Sequence, residues 1–137
     1  MMQVTINYVA VFVAAIVSMV VGFLWYGPLF GKMWMKMSGV TQKQIEEAKK
    51  KGMTTSYVVA FVGSLVMAYI LAHFVRYVGA TTAAAGMQLA FWLWLGFIVT
   101  VKLGSVLWEN KPMQLFFLDC AYYLVTLSIM SSILAVW

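Results

Sequence analysis

Long apolar runs alternate with short polar punctuation along this chain. Apolar residues dominate from about Val4 to Tyr26, Tyr57 to Tyr77, Ala84 to Trp108 and Met113 to Trp137. Each run predicts a helix of roughly 20 residues or a little more, enough at ~1.5 Å per residue to span a hydrocarbon core of about 30 Å. Helices are expected throughout, because unpaired backbone cannot face lipid. The connections differ: Gly27 to Thr55 is long and polar, Gly79 to Ala83 is short, and Glu109-Asn110-Lys111-Pro112 is a tight turn with Pro112 suited to the start of a helix. Short connections favour antiparallel neighbours. The pattern predicts one all-α domain over residues 1–137. It is an integral membrane four-helix bundle, up-down, with helices 4–26, 57–77, 84–108 and 113–137 and a loop at 27–55. The first helix reads as retained rather than as a cleaved signal, since Met1 to Thr5 carries no Lys or Arg and no A-x-A site follows.

The stretch Gly22 to Lys36, GFLWYGPLFGKMWMK, organises the rest. An apolar run closes on Trp25 and Tyr26, is expected to stop at Gly27-Pro28, and then delivers lysines. Aromatics at headgroup depth followed by cations describe a helix leaving a bilayer. Within the loop, Pro28 to Met37 predicts a short interfacial segment with Phe30, Met33, Trp34 and Met37 facing lipid. Gly39 breaks it. Thr41 with Gln44 fits a capping box that opens a second short helix to about Lys51, ended by Gly52. That helix can be a solvated element lying on the headgroups or a dock for a partner or anionic lipid.

Composition sharpens the class. The chain is 64% hydrophobic and 9% charged, with mean hydropathy +0.93, whereas a soluble domain is about half apolar and about a quarter charged. Too few charges remain to cover a soluble surface. Cys120 is the single cysteine, so intrachain disulfides and CxxC motifs are excluded and a packing role is expected. The net charge of +5 gathers mainly in one loop, at Lys32, Lys36, Lys43, Lys49, Lys50 and Lys51. That placement suggests orientation and anionic lipid rather than nucleic acid. With Lys111 and Lys102 on the same side and only Arg76 opposite, the positive-inside rule puts the first and third loops in the cytoplasm and both termini outside.

Small residues recur at four-residue spacing: Ala10, Ala14, Ser18 and Gly22 on the first helix, and Ser56, Ala60, Ser64, Ala68 and Ala72 on the second. Gly96, Thr100 and Gly104 give a third seam. Such stripes let backbones approach closely in lipid, where no hydrophobic drive acts between helices. They predict tight packing of the first two helices, or a stripe facing a second copy, and a homodimer is expected. Trp25-Tyr26-Gly27-Pro28 and Trp108-Glu109-Asn110-Lys111-Pro112 also suggest a duplicated helical hairpin.

Polar residues inside the apolar runs carry the chemistry, since a charge at mid-bilayer costs on the order of 3 kcal/mol or more. Asp119 lies about two turns inside the fourth helix, and Lys102 lies at similar depth in the third. The tight turn between these helices matches the two heights, so an ion pair is predicted. It either locks helix register or forms a proton- or cation-responsive site, with Tyr122, Tyr123 and Glu109 as neighbours. His73, Arg76, Asn7 and Gln88 cluster by height at the opposite end. His73 alone makes neither a bis-His haem site nor a metal centre. No cofactor is expected, and scattered methionines read as gap filler rather than a copper box. Without a Ser-His-Asp set, a Walker loop or HExxH, an enzyme is not expected.

The residues WYGPLFGKMW (Trp25 to Trp34), Ala72-His73, Leu95 to Phe97, and the KP-xx-LF-xxD-xxY run from Lys111 to Tyr122 resemble the bacterial membrane family catalogued as domain of unknown function 1761. The resemblance covers nearly the whole chain. It implies a small protein of about four helices in a bacterial cytoplasmic (inner) membrane. It also marks Trp25, Tyr26, Gly27, Pro28, Phe30, Gly31, Trp34, His73, Asp119 and Tyr122 without giving them roles. Two functions compete. One is a structural or interaction module binding lipid or a partner as an oligomer. The other is an oligomeric transporter or channel using Asp119, Lys102 and His73.

Overall fold

A computed structural model describes residues 4–137, and every regular element among them is helical. The elements are α1 (Tyr8–Leu24), a π-helical segment (Trp25–Leu29), α2 (Gly31–Ser38), α3 (Gln42–Lys51), α4 (Thr54–Tyr77), α5 (Ala83–Leu93), a second π-helical segment (Trp94–Val99), α6 (Thr100–Leu107) and α7 (Met113–Val136). Four continuous stretches are long and apolar enough to cross a membrane: Tyr8–Leu29, Thr54–Tyr77, Ala83–Leu107 and Met113–Val136. They form the up-down four-helix bundle that the hydropathy pattern predicts.

The spans differ from the sequence reading in places: the first opens at Tyr8 rather than about Val4, and the second at Thr54 rather than about Tyr57. The first helix does not stop at Gly27-Pro28; it runs through Pro28 to Leu29 by widening into a π turn, closed by the Phe30 N–H donating to the Trp25 carbonyl at 2.9 Å. Proline lacks an N–H and its ring collides with the carbonyl four residues back, so an α-helix breaks there. The wider turn absorbs both defects. The chain changes direction only at Phe30. The third spanning helix is likewise interrupted by its π segment.

The caps explain the remaining ends. Asn7 accepts from the N–H groups of Val9 and Ala10 to open α1, and Thr82 accepts from Ala85 to open α5. The Thr41–Gln44 capping box opens α3. At α3's other end Gly52 supplies the carbonyl-capping N–H.

Helix α7 sits centrally, packed against α1, α4, α5 and α6, while α4 and α5 flank it without substantial mutual contact. The core lies in the half of the bundle away from the long loop. It is built from Ala10, Ala14 and Ala15 on α1, Ala68, Ala72 and Val75 on α4, Ala90 on α5, and Met130 and Leu134 on α7. Small side chains permit this. A Cβ on Gly86 would lie 2.6 Å from the Ser131 carbonyl oxygen, so only glycine lets α5 seat its backbone on α7. The small-residue stripe of α4 is used only in part. Ala68 and Ala72 are buried, but Ser56 and Ala60 are exposed, and there the Phe23–Tyr57 ring contact (5.5 Å between centroids) fills the space between α1 and α4. Gly96 and Thr100 of the third seam are exposed, and a Cβ added at Gly96 would meet no atom of another helix among the described residues.

Candidate functional site

At the loop end of the bundle, the first and third spanning segments converge on one turn of α7. The π segment aims Tyr26 inward, and its hydroxyl donates to Asp119 Oδ1 at 2.6 Å. Lys102 of α6 places Nζ 3.8 Å from Asp119 Oδ2, a Coulombic contact longer than a hydrogen bond. The same ammonium lies 5.6 Å from the centroid of the Tyr123 ring, in cation–π range. The carboxylate is mostly covered, at 18% side-chain exposure, whereas Lys102 reaches outward at 35%. Asp119 thus has a directional partner on one oxygen and a flexible counter-charge on the other. This satisfies it without burying a naked ion.

An aromatic shell holds the geometry. Tyr122 packs edge-on against Tyr26 at 5.1 Å and lies 6.2 Å from Trp25. The Tyr122 hydroxyl fits over Gly22, where an added Cβ would approach it to 3.2 Å. Trp25 packs on Phe30 at 4.6 Å, and Tyr26 meets Trp34 of α2 at 6.2 Å. Phe30 and Trp34 are therefore half-buried against the bundle rather than turned to lipid, while Met33 is exposed. A helix entering so close requires Gly31, whose added Cβ would meet the Tyr26 carbonyl oxygen at 2.7 Å. On the far side of Asp119, the Trp94 indole N–H donates to the Cys120 carbonyl at 2.7 Å. The Trp25 indole N–H is buried and without a partner among the described residues.

The structure brings Asp119, Lys102, Tyr122 and Tyr123 together. It adds Tyr26, which the sequence marks as interfacial but does not connect to Asp119. Depth along a helix can be counted from sequence; the direction a side chain takes after a π turn cannot. Trp94 was missed for the same reason. Gly27 and Pro28 are exposed on the rim. Glu109 is exposed in the 109–112 connection and pairs with no described cation.

The residues expected to cluster at the other end are dispersed. Asn7 spends its side-chain oxygen capping α1 and shares a surface cavity with Arg76. Gln88 lines a separate cavity with Val78 and Trp92. His73 packs edge-on between Tyr69 and Tyr77 along α4, with Nδ1 2.9 Å from the Tyr69 carbonyl. The described residues contain no group of three or more His, Cys, Asp or Glu placed to hold a metal ion.

A family model described as protein of unknown function, DUF1761, matches residues 9–135, and the chain belongs to that family. No curated protein and no solved structure matches the chain.

Proposed function

We propose that this chain is an integral membrane interaction module, and that its task is to hold the basic Gly27 to Thr55 loop against an anionic membrane surface. The observation that carries this is the Tyr26–Asp119 hydrogen bond at 2.6 Å. It ties the last turn before the loop to the central helix, in a site whose only charged groups already satisfy each other. Such a clasp fixes where α2 leaves the bundle and hence where the lysines point. The reading includes no catalytic step. The resemblance noted in the sequence suggests a bacterial cytoplasmic membrane, and the lysine bias supports an orientation with the loop inside and both termini outside. The exposed Gly96–Thr100 seam supports a homo-oligomer.

Lipid co-purification tests the central claim. After solubilisation in mild detergent from mixed bilayers, anionic phospholipid should remain enriched over its bulk fraction; retention at the bulk ratio would sink the reading. Orientation has its own check. A cysteine at position 50 (Lys50→Cys) should resist impermeant thiol reagents in intact cells, and ready labelling would reverse the topology.

A further inference from the structure

Two of the loop lysines occupy a different kind of place from the rest. Lys32 and Lys36 stand one helical turn apart on α2 and, with Met33, Met37, Pro112 and Gln114, line a surface cavity of about 640 Å³ between α2 and the start of α7. Lys49, Lys50 and Lys51 instead end the exposed α3. Like charges at this spacing repel. Neither Lys32 nor Lys36 has a carboxylate within ion-pair distance, the Lys102–Asp119 pair being the one ion pair among the described residues. The adjoining first turn of α7 has no side-chain cap and no acidic residue, so it adds positive potential rather than relieving it.

The position selects the occupant. One spanning segment ends at Leu29 and another begins at Met113, so the cavity lies at the level where apolar helix gives way to polar loop. Leu29 and Met33 expose large apolar surface there, at 63% and 47%. A cationic pocket bordered by apolar side chains at that depth matches a phosphate carrying acyl chains, not a free anion.

The geometry points to a seat for one anionic phospholipid per chain, its phosphodiester between Lys32 and Lys36 and its headgroup toward Gln114. This rests on the interaction-module reading above and narrows it from a diffuse basic loop to a single cavity.

Native mass spectrometry and thermal-shift titration of the full chain in nonionic detergent provide the test. The probes are phosphatidylglycerol, phosphatidylcholine and inorganic phosphate. Phosphatidylglycerol should saturate at one molecule per chain and raise the melting temperature, with the other two probes inert at equal concentration. The double variant Lys32→Gln/Lys36→Gln should weaken binding roughly thirtyfold, the contribution of two lysines near an anionic headgroup. Gln114→Glu, which leaves both lysines in place, should also weaken it. Lys49→Gln/Lys50→Gln/Lys51→Gln should leave the single bound lipid intact. Equal losses in the α2 and α3 variants would overturn the cavity and leave a diffuse basic surface. Equal binding of inorganic phosphate would overturn the lipid assignment. If wild-type protein shows no preference for phosphatidylglycerol over phosphatidylcholine, the broader reading fails; a preference indifferent to Lys32 and Lys36 defeats only the cavity.

Discussion

The two π-helical segments are built alike and do different work. Each is entered through the same Leu-Trp-x-Gly pattern, Leu24-Trp25-Tyr26-Gly27 at the first and Leu93-Trp94-Leu95-Gly96 at the second. Each brings a tryptophan to the same turn of α7, Trp25 against Tyr122 and Trp94 onto the Cys120 carbonyl. Their causes differ. The first contains Pro28, which forbids a regular α turn. The second has no proline; there the Thr100 hydroxyl donates to the Gly96 carbonyl at 2.7 Å, offering that carbonyl a partner outside the helix ladder. Their outcomes differ as well. After the first, the chain turns away into the basic loop; after the second, it continues straight into α6. A π turn alone therefore does not redirect a helix. The contrast assigns the redirection to the break at Phe30 and the close entry that Gly31 permits, and the anchoring to the Tyr26–Asp119 contact.

Breaking the shared anchor should have the largest effect. Asp119→Ala removes the acceptor of Tyr26 and strands Lys102, so it should destabilise the bundle by roughly 3 kcal/mol. Lys102→Met should cost less, because Lys102 is partly exposed and leaves Asp119 still bonded to Tyr26. If the charges couple, the double variant recovers part of the summed loss in denaturant titrations in detergent. Strictly additive losses would mean that the second π segment's helix does not share the site, and the comparison would reduce to the first.

Next comes the hydroxyl that distinguishes the first segment. Tyr26→Phe keeps the aromatic packing but loses one hydrogen bond to a carboxylate, an expected cost of about 1–2 kcal/mol. Tyr123→Phe, whose hydroxyl makes no described bond, should be nearly neutral. Accessibility of a probe on α2 separates anchoring from simple stability: it should rise in Tyr26→Phe and stay unchanged in Tyr123→Phe. Gly31→Ala tests the exit itself. The added methyl faces backbone, the Tyr26 carbonyl oxygen at 2.7 Å, so about 1–2 kcal/mol should be lost as the chain shifts. Gly27→Ala meets open space and should be tolerated, and an equal loss at both positions would remove Gly31 from the account.

Much of this was legible in the sequence, for identifiable reasons. Runs of apolar residues give helices by length, and the Thr41–Gln44 box gives a start by hydrogen-bond chemistry. The depths of Asp119 and Lys102 follow from counting residues either side of a tight turn. The π segments were not legible. In helices apolar on nearly every face, hydropathy has no period with which to tell a wide turn from an ordinary one. Pro28 consequently read as a stop. The suggested repeat also fell on the wrong residues: Trp108, matched in sequence to Trp25, ends α6 at 84% exposure, whereas Trp94 is the residue in Trp25's local setting. Tyr26 could not be joined to Asp119, because its direction depends on the turn beneath it.

The finest distinction between the segments lies in their indoles. Trp94 donates to the Cys120 carbonyl at 2.7 Å, while the Trp25 indole N–H is buried with no partner among the described residues. Replacing either by phenylalanine removes similar volume, so the packing losses should be comparable. The polar contributions have opposite sign. Trp94→Phe gives up a made hydrogen bond, worth about 1 kcal/mol. Trp25→Phe deletes an unsatisfied donor and relieves a desolvation penalty of similar size. Trp94→Phe should therefore be the more damaging of the two by about 1 kcal/mol or more in the same denaturant titration. Equal losses would mean that Trp25 has a partner in the bilayer, such as water or a lipid carbonyl. A Trp25→Phe loss larger than that of Trp94→Phe would place the stronger anchor in the proline-bearing segment and reverse the division of labour between the two turns.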